Sequence, residues 1–322
     1  MSASPVLQQR LGLILGLGGV GLLPLAAWWM AEPFYIGLVS RIMIFALAVL
    51  SLDLILGYGG MISFGHAAFL GVGAYVVGIL AFHGLNSGWL QWPLAILTAA
   101  GVALIVGAIS LATSGVYFIM ITLAFSQMLY FAAQSLEKYG GDDGMTLWSR
   151  SEFGGLLALS NAYVFYYVVL GILLGCLYLS WRLVHSRFGM VLQGIRENEA
   201  RMQALGFPTY RYKLTGFVIA GGIAGLAGAL LANQAEFVSP SYLHWSRSGE
   251  MLFMVTLGGM GTLFGPLLGT TAFLLLEEVI SSYTAHWKIF FGPLLVVFVL
   301  FMRRGLYGML GRGQTRSYTH IG

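Results

Sequence analysis

A few polar side chains interrupt long apolar stretches, and these are the residues whose chemistry the chain could use. Asp53 falls in the apolar stretch 36–57, a few residues before Gly59 and Gly60, and His66 opens the next stretch. Burying a charge is costly unless it is paired, so such residues are functional candidates by default. Asp53 could hold a proton or an ion, extend its side chain inward from the membrane toward water, or make a contact at a helix end. His66 could line a pathway or make a structural hydrogen bond.

Other polar residues in or beside apolar stretches have simpler interpretations. Ser126 and Gln127 are typical of hydrogen bonds between helices. Glu277 and Glu278 lie near the end of a stretch, which predicts solvated side chains. Arg41 lies near the start of a stretch and is expected to act as an interfacial anchor.

The sequence offers no constellation for covalent catalysis or for a metal ion. Its six histidines are scattered without the spacing of metal ligands, and no Ser, His and Asp form an arguable triad. The chain also lacks the Gly-x-x-x-x-Gly-Lys-Ser/Thr sequence that holds ATP phosphates. We therefore expect a protein that is not an enzyme and binds no cofactor itself. Its energy would come from a separate protein or from an ion gradient.

The composition indicates a protein embedded in lipid. Of the 322 residues, 58% are hydrophobic and 9% are charged, whereas about a quarter of a soluble chain is charged. A membrane-spanning helix needs about 20 apolar residues. We predict an all-α, polytopic integral membrane bundle forming a single domain over residues 1–322, with about ten spans and a range of eight to ten. The predicted spans are 11–31, 36–57, 65–82, 93–113, 116–134, 162–183, 214–234, 249–264, 266–281 and 288–302.

The basic residues predict how the chain is oriented. Six of the sixteen Lys and Arg lie between Arg182 and Lys213, and four more follow from Arg303. Because cytoplasmic loops carry an excess of Lys and Arg, we place residues 184–213, the central loop, and both termini in the cytoplasm. Residues 135–161 then form an external loop. This placement also explains the net charge of +4 without nucleic-acid binding.

Two glycine-rich segments look alike and fall between predicted spans. The first glycine segment, residues 59–65, reads GGMISFG, and the second glycine segment, residues 258–265, reads GGMGTLFG. Irregular backbone at membrane depth is tolerated only where it is buried in protein or lines a cavity. The alternative is a tight turn at the surface. Candidates for lining a pathway are Asp53, Gly59, Gly60, Ser63, His66, Gly258, Gly259 and Thr262.

The central loop contains a predicted amphipathic helix at 190–206. Apolar residues recur near helical spacing, and Gly206 and Pro208 are expected to end the helix. Its remaining residues supply a dense polar face, formed by Arg196, Glu197, Asn198, Glu199 and Arg201. Such a helix suits insertion into a groove of a partner. It equally suits a position on the anionic inner leaflet, held by its basic residues.

Several motifs resemble the permease subunits of branched-chain amino acid ABC importers of the LivM type. They are RENEA at 196–200, ALG at 204–206 and YKL at 212–214; LGY at 56–58, SFGHAAF at 63–69 and GVGAY at 71–75; and GGMGT at 258–262 with Gly265, Pro266 and Gly269. They run in the family's order from about residue 40 to 302.

The resemblance implies a function and a set of partners. It implies a non-catalytic permease of the bacterial cytoplasmic (inner) membrane that imports branched-chain or related amino acids, or small amides, by alternating access. It also implies a second, LivH-like permease, an external or periplasmic substrate-binding protein, and two subunits that bind ATP and Mg²⁺. The central loop would dock on those ATP-binding subunits through Arg196, Glu197, Asn198, Glu199, Arg201, Leu205 and Gly206. The alternative is an ion-coupled secondary transporter that uses Asp53 and works without an ATPase.

Overall fold

The structure is a computed structural model that describes residues 33–154, 158–283 and 305–310, with single positions at 286, 289, 292 and 293. The predicted span 11–31, nearly all of 288–302 and both chain termini lie outside the described residues. The helices are α1 (Pro33–Leu56), α2 (His66–Phe82), α3 (Gly88–Ser110), α4 (Val116–Gln134), α5 (Ala162–Val184), α6 (Arg187–Glu197), α7 (Glu199–Ala204), α8 (Thr209–Ala235), α9 (Trp245–Gly258), α10 (Gly265–Tyr283) and α11 (Gly305–Leu310).

The all-α class is confirmed. Each of the predicted spans between residues 36 and 281 coincides with one helix. Within the described residues, five helices, α1, α3, α4, α5 and α8, are long and apolar enough to cross a membrane, and α2 is a shorter apolar helix. The remaining predicted spans stay a prediction.

Helix α8 lies at the centre of the bundle, packed against α1, α2 and α3. Its small residues allow unusually close approach, since a Cβ atom on Gly228 would lie 1.8 Å from the carbonyl oxygen of Leu70. A Cβ on Gly73 of α2 would lie 2.0 Å from the carbonyl oxygen of Gly225. Glycine at these positions therefore sets the distance between α2 and α8.

The two ends of the bundle carry different structures. We call the end at which α1 and α5 finish the α6 end, because α6 and α7 cover it. The described residues of the loop 135–161 cover the opposite end. There, strand β1 (Met145–Thr146) pairs antiparallel with β2 (Phe237–Val238), in the register Met145 to Val238 and Thr146 to Phe237. The central loop and the loop 135–161 thus lie at opposite ends, as their predicted locations on opposite sides of a membrane require.

The close contact at Gly228 predicts a large loss of stability on a small substitution. We expect Gly228→Ala to destabilise the bundle by about 2 kcal/mol or more, because overpacking costs roughly 1–3 kcal/mol and the atom in the way is backbone. Thermal denaturation of the purified chain in detergent, followed by tryptophan fluorescence, would measure this.

A matched control is Gly171→Ala on α5. A Cβ at Gly171 meets nothing within 4 Å, so this change should leave the melting temperature unchanged or raise it slightly. Equal melting temperatures for both variants would contradict the packing described here.

Candidate functional site

At the α6 end, the last turn of α6 reaches the two glycine segments. The Arg196 guanidinium donates a hydrogen bond from Nη1 to the carbonyl oxygen of Gly57. Its aliphatic stem covers Gly60, where an added Cβ would lie 3.0 Å from Arg196 Cγ. A Cβ added to Gly261 would lie 3.2 Å from Arg196 Nη1. We call Asp53, Gly57, Gly60, Arg196 and Gly261 the junction.

Asp53 ties α1 to the second glycine segment. Its side chain is fully buried, and Oδ1 accepts a hydrogen bond of 2.9 Å from the backbone N–H of Gly261. Gly57 must be glycine, because a Cβ there would lie 2.2 Å from that same oxygen and 2.3 Å from the Gly261 nitrogen. Asp53 thus makes a helix-end contact, and its use as a proton or ion site stays a prediction.

The second glycine segment is a tight connection between α9 and α10. Thr262 Oγ1 donates to the carbonyl of Gly259 at 2.7 Å and accepts from the N–H of Gly265 at 3.1 Å. A Cβ on Gly258 would lie 1.9 Å from the carbonyl oxygen of Gly265. Gly259 and Gly261 have φ values of 114° and 73°, which favour glycine. The predicted residues Gly258, Gly259 and Thr262 thus shape one turn.

His66 and Ser51 form a buried pair between α2 and α1. The two side chains have no exposed surface, and His66 Nε2 lies 2.7 Å from Ser51 Oγ. Ser51 donates its only hydroxyl proton to the carbonyl of Ala48 at 2.6 Å. His66 Nε2 is therefore the donor in the pair. This is the structural hydrogen bond that was one of the two interpretations of His66.

The first glycine segment returns into the bundle before α2 begins. Gly60 and Met61 donate their N–H groups to the backbone carbonyls of Leu56 and Ile55 at the end of α1. Phe64 donates to Thr122 Oγ1 at 3.2 Å, and Gly65 donates to Ser63 Oγ at 3.2 Å. Ala67, in the first turn of α2, donates to Ser248 Oγ on α9 at 2.9 Å. Carbonyls of α1, Thr122 of α4 and Ser63 of the segment itself thus accept hydrogen bonds from this irregular backbone, and Ser248 of α9 accepts one from the first turn of α2.

The central loop contains two short helices rather than the single predicted helix. Asn198 separates α6 from α7 with φ −159° and ψ 98°, and its side chain accepts a hydrogen bond from Arg201 N at 2.9 Å. Because the Asn198 side chain caps α7 in this way, the backbone leaves the helical conformation at Asn198. This is why Asn198 interrupts the predicted helix. Gly206 ends α7 with φ 87°, as predicted.

The residues of the central loop divide between an inner and an outer face. Val191, Leu192 and Ile195 are buried, and Lys213 pairs with Glu199 at 2.7 Å. The other predicted residues do not join the junction and are exposed: Glu197, Asn198, Arg201, Leu205 and Gly206. Leu205, which follows directly after α7, is 66% exposed, so the central loop presents an apolar side chain outward. A cavity of about 330 Å³ lies between α6, the first glycine segment and the turn 111–115.

Sequence reasoning missed several residues that build this site. Gly57, Gly261, Ser51 and Ser248 supply close approaches and hydrogen bonds at the α6 end. A signal existed for the serines, since polar residues in apolar helices usually bond to a neighbouring helix. Glu277 also differs from its prediction, because its side chain is only 19% exposed and lies 3.9 Å from Arg41.

The described residues hold no group of three or more His, Cys, Asp or Glu side chains placed to bind a metal ion.

Comparison with known proteins assigns the chain to a family. The family of the branched-chain amino acid transport system permease component matches residues 34–300. The chain belongs to this family. It is a membrane permease component and not an enzyme, and the LivM-type resemblance is confirmed.

Individual relatives agree with this assignment. The permease LivM of the high-affinity branched-chain amino acid transport system of Escherichia coli is 28% identical over 90% of this chain and 74% of its own length. A probable LivM of Methanocaldococcus jannaschii is 25% identical over 85% of this chain and 90% of its own. The permease LivH of E. coli is 24% identical over 82% of this chain and 91% of its own. No solved structure matches the chain.

The junction predicts that one side chain restrains both glycine segments. We expect Arg196→Ala to accelerate amide exchange at residues 57–62 and 259–263 by roughly fivefold, because a charge-assisted hydrogen bond that is partly exposed contributes about 1 kcal/mol. Hydrogen–deuterium exchange with mass spectrometry on the purified chain would measure this.

The matched control is Arg201→Ala. Arg201 lies in the same loop with an exposed side chain, so its removal should leave exchange in both glycine segments unchanged. Identical exchange in the two variants would show that Arg196 restrains neither segment.

Proposed function

We propose that the chain is one half of the translocation pore of an ABC importer for branched-chain or related amino acids, or small amides. It would stand beside a second, homologous permease, with two ATP-binding subunits on one side and a substrate-binding receptor on the other. Support comes from the family match over residues 34–300 and from relatives of both the LivM and the LivH type.

The observation that carries this proposal is the position of Arg196. The helix that carries it belongs to a loop whose outer face is exposed, while Arg196 itself reaches the carbonyl of Gly57 and covers Gly60. A partner that pushes on α6 and α7 would move Arg196, and through it the first glycine segment. Gly57 also abuts Gly261, so the second glycine segment would move as well. This arrangement suits an energy source outside the chain.

The first glycine segment supports a pathway built from interrupted helices. The hydrogen bond between Ser51 and His66 places the start of α2 level with Ser51 of α1. Ser51 lies five residues before the end of α1, so α2 begins about 7.5 Å inside the bundle. Irregular backbone at such a depth lines a cavity or is buried in protein. In this proposal Gly59, Gly60, Ser63 and His66 border the path from one side. Gly258, Gly259 and Thr262 border it from the other.

The proposed orientation places the α6 end in the cytoplasm. We infer this orientation from the excess of Lys and Arg at that end. The proposed topology has ten spans, and both termini lie in the cytoplasm. The loop 135–161 then faces the receptor. Glu137 and Lys138 are exposed in that loop, where no ATPase subunit would reach them.

An ion-coupled transporter that uses Asp53 is the second candidate. Oδ2 of Asp53 is buried without a hydrogen-bond partner among the described residues, which favours a proton or ion there. The two candidates differ in their energy source. We expect the complete complex in proteoliposomes to take up L-leucine only when ATP is supplied on the side of the ATPase subunits. Uptake driven by an ion gradient without ATP would instead establish the second candidate.

Separate residues should serve docking and coupling. We expect the charge reversal Glu197→Arg with Arg201→Glu to reduce co-purification of the ATP-binding subunits by about tenfold, because both exposed side chains would face the partner. Arg196→Ala should instead leave assembly and ATP hydrolysis intact while uptake of leucine falls by about tenfold or more.

The control reverses an exposed pair at the opposite end, Glu137→Lys with Lys138→Glu. It should affect neither co-purification of the ATP-binding subunits nor ATP hydrolysis. If the reversal at Glu197 and Arg201 left the ATPase subunits bound at the wild-type level, the docking role of the central loop would be refuted.

A further inference from the structure

Four charged side chains from three helices meet near the end of the bundle opposite α6. Arg41 of α1 lies 3.9 Å from Glu277 of α10, and Arg247 donates to Glu250 within α9 at 2.8 Å. Their side chains are between 19% and 36% exposed. The four charges sum to zero. We call them the charge cluster.

Two members of the charge cluster, Arg41 and Glu277, lie below the ends of their helices, whereas Arg247 and Glu250 lie in the first two turns of α9. Arg41 comes eight residues after the start of α1 at Pro33, which is about 12 Å along the helix. Glu277 comes six residues before the end of α10 at Tyr283, which is about 9 Å. Ionisable side chains at such positions are costly in a membrane protein and face its interior or a water-filled cavity.

A cavity of about 240 Å³ opens at the charge cluster. Its lining combines carboxylates, a guanidinium, hydroxyls and rings: Tyr130, Ser241, His244, Ser246, Arg247, Glu250 and Glu277. Sites for drug-sized ligands measure about 300–1,000 Å³, so this volume suits a smaller molecule. The Tyr130 and His244 rings meet edge to face at 5.0 Å and give the cavity a partly apolar wall.

The two ion pairs do not use all the hydrogen-bonding groups of the charge cluster. At 3.9 Å, the contact between Arg41 and Glu277 is longer than a hydrogen bond, which leaves the Glu277 carboxylate able to accept a donor. Arg247 gives Glu250 one hydrogen bond from Nη1, and a guanidinium has five N–H donors. The cavity thus offers acceptors for an ammonium group and donors for a carboxylate within one small volume.

We propose that this cavity binds the head group of a free α-amino acid, with Arg247 on the α-carboxylate and Glu277 on the α-ammonium group. The proposal rests on the proposed function and adds to it a place at which the chain itself recognises a zwitterion. The neutral sum of the charge cluster matches a ligand that carries one charge of each sign. An anion alone or a cation alone would leave one of the cluster's groups facing a like charge.

The first experiment measures binding of tritiated L-leucine to the complete transporter complex in detergent, without receptor and without ATP. We expect Glu277→Gln to weaken binding by about tenfold or more. The matched control is Glu278→Gln, which makes the same change one residue further along α10, outside the cavity lining, and should bind leucine as the wild type does. Isoamylamine and 4-methylpentanoate, which each keep one of the two charges, should compete at least about tenfold more weakly than leucine.

A second variant separates binding from a structural ion pair. Arg247→Glu with Glu250→Arg restores an ion pair within α9 but exchanges the positions of its charges. A structural role tolerates this exchange, so the melting temperature should stay near that of the wild type while leucine binding is lost. Wild-type affinity in Glu277→Gln and in the exchanged variant, or no binding of leucine by the wild type at millimolar concentration, would overturn the proposal.

The outcome is separable from that of the proposed function. Uptake by the wild-type complex that needs no ATP would refute the ATPase-driven importer and leave the binding comparison valid. ATP-dependent uptake that is unchanged in Glu277→Gln and in the exchanged variant would refute only the amino acid site.

Discussion

The hydrogen bond from the Gly261 N–H to the buried Asp53 carboxylate is the interaction on which the α6 end depends. It joins α1 to the connection between α9 and α10 across 2.9 Å. A buried carboxylate that loses its donor carries the full cost of desolvation, so the two segments are held together by more than packing. Gly57 makes the contact possible, because any side chain there would occupy the space of the Asp53 oxygen. Arg196 then bonds to the carbonyl of that same glycine.

Glycine has a specific role in this arrangement. Gly60 and Gly261 adopt φ values of 69° and 73°, a region that other residues rarely occupy. The same absence of a side chain lets Arg196 lie on Gly60 and lets Gly261 lie against Gly57. The glycine segments therefore combine two properties that a moving part needs, since they pack closely at rest and carry no side chains that would block a change in backbone angles.

The sequence predicted the helices well and the contacts poorly, for physical reasons. Apolar length alone predicted the helices between residues 36 and 281, because a membrane helix satisfies its backbone locally. A motif pointed to Arg196, and its place in an apolar stretch pointed to Asp53, but the partners of these residues are backbone groups of Gly57 and Gly261. Backbone groups leave no signature in residue type. The break at Asn198 was missed because the helical pattern outweighed a single N-cap residue, and Glu277 was placed in solvent because its partner Arg41 is distant in sequence.

The charge cluster and the junction are joined by the same helices, and this gives the proposed transport cycle a simple geometry. Helix α1 contacts the pair α9 and α10 at both ends, through Arg41 and Glu277 at one end and through Asp53 and Gly261 at the other. Twelve residues separate Arg41 from Asp53, which is about 18 Å of helix. A rigid tilt of α9 and α10 against α1 would lengthen one contact while shortening the other. A ligand bound at Glu277 and a displacement of Arg196 would then act near opposite ends of α1. Each would change the contacts at the other end.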